Sequence, residues 1–84
     1  MKRIEIIALA LKKIEQRKIP RQWIEETLDS PGQIVDGYSG RKVRQRKYTV
    51  EGKQVLLRVV ADEEEDRLIV ITAYLTTQVE RYWR

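Results

Sequence analysis

The stretches QVLLRVVA (residues 54–61) and LIVITAYL (residues 68–75) decide the fold of this chain. Both are rich in β-branched residues, which predicts strands, and nearly every position is apolar, as in central strands covered on at least one face. The run DEEED (residues 62–66) between them is entirely acidic and predicts the turn of a hairpin. This hairpin is expected to form the centre of an antiparallel sheet.

Two further strands are predicted before the hairpin, over Gln33–Tyr38 and Val43–Val50. The turn residues Ser39-Gly40 and Glu51-Gly52 separate them from each other and from the hairpin. Together with residues 54–61 and 68–75, they give an antiparallel meander of four strands.

Two amphipathic helices are predicted before the strands, because apolar residues recur there at helical spacing. The first runs from about Ala8, whereas Arg3–Ile7 fits either a short strand or the start of this helix. The second starts at Pro20, which suits the first position of a helix, and ends at Ser30-Pro31-Gly32. The predicted fold class is therefore α+β, with two N-terminal helices packed on a four-stranded antiparallel sheet in a single domain over residues 1–84.

Charge and composition narrow the function classes. The net charge is +4, but without the acidic run 17 basic residues face eight acidic ones, a balance of +9. A basic body suggests an anionic partner such as nucleic acid, although solubility alone would also explain it. The chain has no cysteine and no histidine, so disulfides, thiolate chemistry and the usual zinc ligands are excluded, and we expect neither a metal nor a cofactor. No apolar run approaches the roughly 18 residues of a membrane span, and a cytoplasmic location without membrane contact is expected.

Strand alternation predicts what each face of the hairpin carries. We place Ala61 opposite Arg67, which sets Arg58 opposite Val70. One face then holds Arg58, Val70, Thr72 and Tyr74. The other face holds Val55, Leu57, Val59, Ile69, Ile71 and Ala73. Because the second set is uniformly aliphatic, it is expected beneath the two helices.

The turn at Glu51-Gly52 decides which face the preceding strand adds to. A three-residue loop would bring Arg44, Arg46 and Tyr48 to the Arg58 face, whereas a two-residue loop would turn them toward the helices. Burying two arginines under the helices is costly. The three-residue loop is therefore preferred, and it predicts a basic face.

Such a face suits RNA, because guanidinium groups bind phosphate and aromatic rings stack on unpaired bases. It also suits cleavage, since RNA is cut without metal when its 2′-hydroxyl attacks the adjacent phosphate. The plain alternative is that Tyr74 is a half-buried sheet aromatic and that Arg58 covers apolar surface with its stem. Lys13 and Arg17 face either the same ligand or solvent, and residues 81–83 either stack on a base or pack back onto the sheet.

Five motifs spread over nearly the whole chain point to a family. They are Ala10-x-x-Lys13-Ile14-x-x-Arg17-x-Ile19, Leu28-x-x-Pro31, Leu57-Arg58-Val59-Val60, Ile71-Thr72-Ala73-Tyr74 and Arg81-Tyr82-Trp83. This combination resembles a family of small bacterial and archaeal proteins of unknown function. That family in turn resembles the RelE and BrnT toxins, endoribonucleases that pack two helices on an antiparallel sheet and are neutralised by an antitoxin.

The resemblance implies a site and partners. In this interpretation Arg58 and Arg81 stabilise phosphate charge, and Tyr74 transfers the proton. The remaining candidates for binding the nucleic acid are Lys13, Arg17, Arg44, Arg46, Lys47, Tyr48, Thr72 and Tyr82. The expected function is a metal-independent endoribonuclease toxin that acts on RNA or the ribosome, with an acidic antitoxin as its partner.

One departure from the family pattern keeps other functions open. Members commonly carry a histidine before the alanine of the first helix, and here that position is Leu9. RelE-type toxins cut RNA with arginine, lysine and tyrosine, so this substitution does not decide whether the protein is active. The alternatives are a non-catalytic module that binds RNA or protein, and a structural homodimer joined through Tyr82, Trp83 and an edge strand.

Overall fold

The computed structural model describes residues 2–84, with the exception of the Tyr38 side chain. Its elements in chain order are β1 (Arg3–Ile6), α1 (Ala8–Gln16), α2 (Arg21–Asp29), β2 (Gln33–Asp36), a 3₁₀ turn (Tyr38–Gly40), β3 (Lys42–Val50), β4 (Lys53–Glu63), β5 (Arg67–Thr76) and α3 (Val79–Tyr82). The mixed α+β fold is confirmed. Within residues 2–84, no helix is both long and apolar enough to cross a membrane.

The sheet has five strands in the order β1-β5-β4-β3-β2, which corrects the prediction of four strands. The four predicted strands form the antiparallel meander. The added strand β1 pairs in parallel with β5, with Ile4 opposite Leu68 and Ile6 opposite Val70. The short strand predicted as one alternative for residues 3–7 is therefore present. The third helix, α3, is a single turn, which is too short to give a helical repeat in the sequence.

The helices α1 and α2 cover one face of the sheet, where α1 packs on β5 and α2 on β4 and β3. Their apolar sides meet the aliphatic side of the sheet, as predicted. The core they form contains Ala10, Ile14, Ile24, Leu28, Leu57, Val59, Leu68, Val70 and Ala73. This side of the sheet is called the helical face below, and the other side the open face.

The β4–β5 hairpin differs from the predicted register because it contains a β-bulge. Arg58 stands opposite Tyr74 rather than Val70, and the pairing shifts between Val60 and Ala61. Val60 pairs with Thr72 and Ala61 with Val70, which leaves Ile71 as the extra residue. A bulge reverses the alternation beyond it, so Val70 enters the core, whereas Ile69 and Ile71 leave the helical face. The predicted faces of these three residues were wrong for this reason.

The β3–β4 turn was also predicted wrongly. Val50 pairs with Lys53, so Glu51-Gly52 is a two-residue turn, and both residues have positive φ, 51° and 79°. These angles suit a type I′ turn, whose twist matches that of the flanking strands. Arg44 consequently stands opposite Val59, and Arg46 opposite Leu57, on the helical face.

Polar partners offset part of the cost of placing these side chains on the helical face, while Arg44 Nη1 is buried without a hydrogen-bond partner among the described residues. Arg44 is buried but donates to Glu63 at 3.1 Å, and Arg46 donates to the Ser30 carbonyl at 2.8 Å. Tyr48 stacks on Trp23 with 4.2 Å between the ring centroids. Their long side chains bury apolar stems while the polar ends reach partners, which the prediction did not anticipate.

Candidate functional site

A row of polar side chains crosses the open face on four neighbouring strands. Gln33 of β2 pairs with Gln45 of β3, Gln45 with Arg58 of β4, and Arg58 with Tyr74 of β5. Side chains of directly opposed residues lie on the same face and contact each other. The prediction that Arg58 and Tyr74 share the face away from the helices is therefore confirmed. This set of four residues is called the polar row below.

Arg58 is the centre of the polar row and is nearly buried, with 9% of its surface exposed. Its Nε donates to Gln45 Oε1 at 3.0 Å, and its Nη1 donates to the Tyr74 hydroxyl oxygen at 2.6 Å. Its Nη2 has no hydrogen-bond partner among the described side chains. Among these side chains, moreover, no carboxylate lies within ion-pair distance of Arg58.

Aromatic rings take the place of a counter-charge around Arg58. The guanidinium carbon lies 4.1 Å from the centroid of the Tyr82 ring and 5.7 Å from that of Tyr74. A desolvated cation over an aromatic face gains about 2 kcal/mol, which is less than a buried charge loses on leaving water. Arg58 is thus a cation whose remaining donor is available to an anion from outside the chain.

The segment Val79–Arg84 folds back over the open face and is called the C-terminal strap below. Gln45 Nε2 donates to the Tyr82 carbonyl at 3.0 Å. The backbone N–H of Arg84 donates to Gln33 Oε1 at 3.0 Å, and Gln33 Nε2 donates back to the Arg84 carbonyl at 2.5 Å. Gln33 and Gln45 therefore hold the strap in place, and the strap positions the Tyr82 ring over Arg58.

Trp83 anchors the strap by packing against the chain just before β2. A Cβ atom added to Gly32 would lie 2.7 Å from Trp83 Cη2, so only glycine leaves room for the ring. On β3, Lys47 Nζ lies 4.1 Å from the centroid of the same ring. Of the two alternatives open for residues 81–83, Tyr82 and Trp83 thus pack back onto the sheet.

A cleft of about 580 Å³ opens beside the strap on the open face. Its floor includes Val60, Ile71 and Thr72, and one wall is formed by Arg58, Tyr74 and Tyr82. Arg41 and Arg81 also line it, with Arg41 paired at 3.1 Å to Asp62. Arg81 is exposed and contacts only neutral partners among the described residues, with Nη1 3.3 Å from Gln78 Oε1 and its guanidinium carbon 5.4 Å from the Tyr82 centroid.

The cleft gathers some of the predicted site residues and leaves out others. Those that line it are Arg58, Thr72, Tyr74, Arg81 and Tyr82. Lys47 lies on the open face but contacts Trp83 instead. The prediction wrongly assigned Arg44, Arg46 and Tyr48 to the basic face. They lie on the helical face because the β3–β4 turn has two residues rather than three.

The two basic residues predicted on the first helix belong to the helical layer. Lys13 is half-buried in α1, which packs on β5 from the helical face. Arg17 follows α1 and donates from Nη1 to the Ala73 carbonyl at 2.7 Å. Ala73 lies beyond the part of β5 that pairs with β1, so this bond satisfies a backbone acceptor at the sheet edge. Neither residue lines the cleft.

Two of the titrating pairs that stabilise the chain lie outside the cleft, whereas Asp36, whose pKa is lowered by Lys42, lines it. On the helical face, a hydrogen bond from Tyr48 and a second from Gln22 lower the pKa of Glu26, while burial raises the pKa of Tyr48. At the acidic turn, Lys2 and then Arg44 lower the pKa of Glu63. Glu26 and Glu63 therefore serve the fold rather than the cleft.

Gln33, Gln45 and Arg41 were not predicted as site residues. Gln45 is completely buried and links Arg58 to the strap. In the sequence it stands between two arginines and carries no recognisable signal. Only the two-residue β3–β4 turn brings Gln45 beside Arg58, so a correct prediction of this turn would have placed Gln45 at the site.

Comparison with known proteins gives one match. A family model described as a domain of unknown function (DUF4258) covers residues 10–75. That range includes Arg58, Thr72 and Tyr74 and stops before the C-terminal strap. No curated protein and no solved structure matches the chain. The predicted resemblance to a family of unknown function is thus confirmed, whereas the relationship to RelE and BrnT stays a prediction.

Proposed function

The chain belongs to the family described as a domain of unknown function (DUF4258), and we propose from its cleft that it is an RNA-directed protein of the RelE/BrnT-like toxin kind. In this proposal the open-face cleft binds a single-stranded phosphodiester, and Arg58 and Tyr74 cut it as a metal-independent endoribonuclease. Arg81 adds positive charge beside the cleft.

The observation that supports this function most strongly is the unpaired charge of Arg58. An arginine that is 9% exposed and has no carboxylate partner among the described side chains is costly to the fold. A phosphate oxygen at Nη2 would supply the missing charge-assisted hydrogen bond. The solvent-exposed charge of Arg81 lines the same cleft and adds to the attraction.

The hydrogen bond between Arg58 and Tyr74 suits proton transfer in RNA cleavage. The 2′-oxygen of the RNA forms a bond to phosphorus while the bond to the 5′-oxygen breaks, which leaves a 2′,3′-cyclic phosphate. Tyr74 gives its phenolic proton to the departing 5′-oxygen, and the 2′-hydroxyl proton passes to solvent water. Because Arg58 Nη1 lies 2.6 Å from the phenolic oxygen, it stabilises the phenolate that forms, while Nη2 stabilises the phosphate.

The test is an RNA cleavage assay with purified protein, with and without ribosomes, in the presence of a chelator. Tyr74→Phe keeps the ring but removes the transferable proton, so we expect cleavage to fall by about 10²- to 10⁴-fold. Tyr48→Phe is the matched control, since Tyr48 lies on the helical face, and it should keep the activity of the unaltered protein. Absence of cleavage in every condition, together with normal growth on expression, would remove the enzyme proposal.

One observation favours a second candidate, a non-catalytic RNA-binding module of the same fold. The Tyr82 ring lies over Arg58, a residue that is 9% exposed, and so limits the approach of a scissile phosphate to the Arg58 guanidinium. In this case RNA binds without being cut. The affinity should fall steeply with salt, because binding releases counterions from the phosphates.

The partner proposed for the toxin function is an acidic antitoxin segment, whose carboxylates would compete with RNA for Arg58 and Arg81. A synthetic poly-glutamate peptide tests this competition directly. It should displace labelled RNA from the unaltered protein at low salt, and a labelled form of the peptide should bind more weakly when Arg58 is replaced by methionine.

A further inference from the structure

We propose that the cleft binds one unpaired nucleotide of an RNA strand, with the phosphate at Arg58 and the base on an aliphatic shelf formed by Val60 and Ile71. This inference rests on the proposed RNA-directed function and adds the unit of the ligand that the site recognises. It also assigns a binding role to two residues that have no polar atom in their side chains.

The β-bulge is the first observation behind the shelf. Val60 pairs with Thr72, and Ile71 is the extra residue that follows on the way to the Ala61–Val70 pair. Regular alternation would turn Ile71 toward the core, beside Ala73. The bulge turns it to the open face instead, where it lines the cleft with Val60 and Thr72. Bulges often re-aim side chains next to functional sites, and this one directs an apolar group at a ligand.

The chemistry of the cleft is the second observation. Val60 and Ile71 are both half-buried, and they line the same cleft as Arg58. An apolar surface beside the unpaired charge of Arg58 fits a ligand that has a flat apolar part next to an anionic part. A nucleotide has both, because every base presents a π-face and every linkage carries a phosphate.

The size and form of the cleft select an unpaired nucleotide. Its volume of about 580 Å³ falls within the roughly 300–1,000 Å³ of sites that take one small ligand. In a duplex the base faces are stacked inside the helix, so a duplex would leave the shelf empty. An acidic peptide would reach Arg58 with its carboxylates but would leave the shelf empty as well.

Binding of short oligonucleotides tests the shelf, with fluorescence anisotropy as the readout. The unaltered protein is titrated with single-stranded RNA and with an abasic ribose-phosphate strand of equal length and charge. We expect the RNA to bind about five- to tenfold more tightly, because a base placed on Val60 and Ile71 removes apolar surface from water. The duplex and the free nucleoside monophosphate should both bind more weakly than the single strand.

The matched variants are Ile71→Ser and Ile69→Ser. Both residues are half-buried on β5 and lie on the open face, but only Ile71 lines the cleft. Ile71→Ser should lower the affinity for RNA about five- to tenfold, because less apolar surface is buried under the base, and leave that for the abasic strand unchanged. Ile69→Ser should change neither affinity. Circular dichroism checks that each variant folds. The comparison of RNA with the abasic strand uses the unaltered protein, so it tests the shelf even if a variant fails to fold.

The outcomes separate this inference from the proposed function. Equal affinity for RNA and for the abasic strand would overturn the shelf and leave an RNA-directed protein that reads phosphate alone. Free nucleotide binding as tightly as the strand would overturn the part of the inference that makes the ligand a segment of an RNA strand. Preference for the acidic peptide over RNA would overturn the shelf. Failure of every nucleic acid to bind would overturn the proposed function itself and the shelf with it.

Discussion

At the scale of single residues, alternation along β4 and β5 was enough to place Arg58 and Tyr74 on one face. It could not place Gln45, because the role of that residue depends on the registers of two other strands. Gln45 is completely buried and makes three hydrogen bonds, to Arg58, to Gln33 and to the Tyr82 carbonyl. The Gln45 amide therefore connects β2, β4 and the C-terminal strap, and alternation within one strand does not predict these contacts.

Replacement of Gln45 tests this role. Gln45→Met keeps the volume but leaves the Tyr82 carbonyl and Arg58 Nε without partners, so we expect a loss of about 1–3 kcal/mol in the free energy of unfolding. The C-terminal strap should also become more sensitive to protease. The control is Gln54→Met, an exposed glutamine of β4, with an expected effect below about 0.5 kcal/mol. Equal urea midpoints for the two variants would contradict the role given to Gln45.

At the scale of secondary-structure elements, the sequence predicted the existence of α1, α2 and the meander but not their irregularities. The bulge at Ile71 and the two-residue turn at Glu51-Gly52 each reverse which residues face the helices. Neither follows from apolar periodicity, because both leave the local pattern of residue types unchanged. The turn was misjudged because the cost of placing Arg44 and Arg46 near the helices was overestimated.

The turn gives a prediction of its own. Glu51 has a φ of 51° in the two-residue turn, a conformation that asparagine tolerates better than glutamate. Glu51→Asn should therefore raise the free energy of unfolding by about 0.5–1 kcal/mol. Gly52→Ala, at a φ of 79°, should lower it. Denaturant unfolding of both variants checks the pair, and a stabilising effect of Gly52→Ala would show that the turn has another form.

At the scale of the whole molecule, ion pairs connect the acidic run of residues 62–66 to basic side chains before β3, at the start of β5 and near the N-terminus. Basic side chains pair with the acidic turn: Arg41 with Asp62, Lys2 with Glu63 and Arg67 with Glu64. The turn is therefore bound to the rest of the chain rather than only solvated. Composition predicted a basic body, apolar periodicity predicted the fold class, and five sequence motifs indicated the resemblance to a family of unknown function. The cleft depended on strand registers that none of these contains.

The paired carboxylates make stability depend on pH in a defined direction. A hydrogen bond from Tyr48 holds the pKa of Glu26 below its ordinary value of 4.5, so ionised Glu26 favours the folded state. This contribution is present above pH 4.5 and disappears as the pH falls through the lower folded-state pKa. Urea midpoints measured from pH 6 to pH 3 should fall, and Glu26→Gln should show a smaller fall. An identical slope for the variant would exclude Glu26 as a contributor.

The polar row also bears on how the strands find their alignment. Sliding one strand by two residues past its neighbour preserves the order of apolar and polar faces, so hydrophobic burial alone discriminates poorly against it. Such a slip between β4 and β5 would set Arg58 against Thr72 or Thr76, and one between β2 and β3 would separate Gln45 from its acceptor on Gln33. The polar row therefore selects one register across four strands, because its hydrogen bonds form in that register alone. The polar side chains that line the cleft thus also destabilise misaligned sheets, in which the aliphatic residues would still be buried.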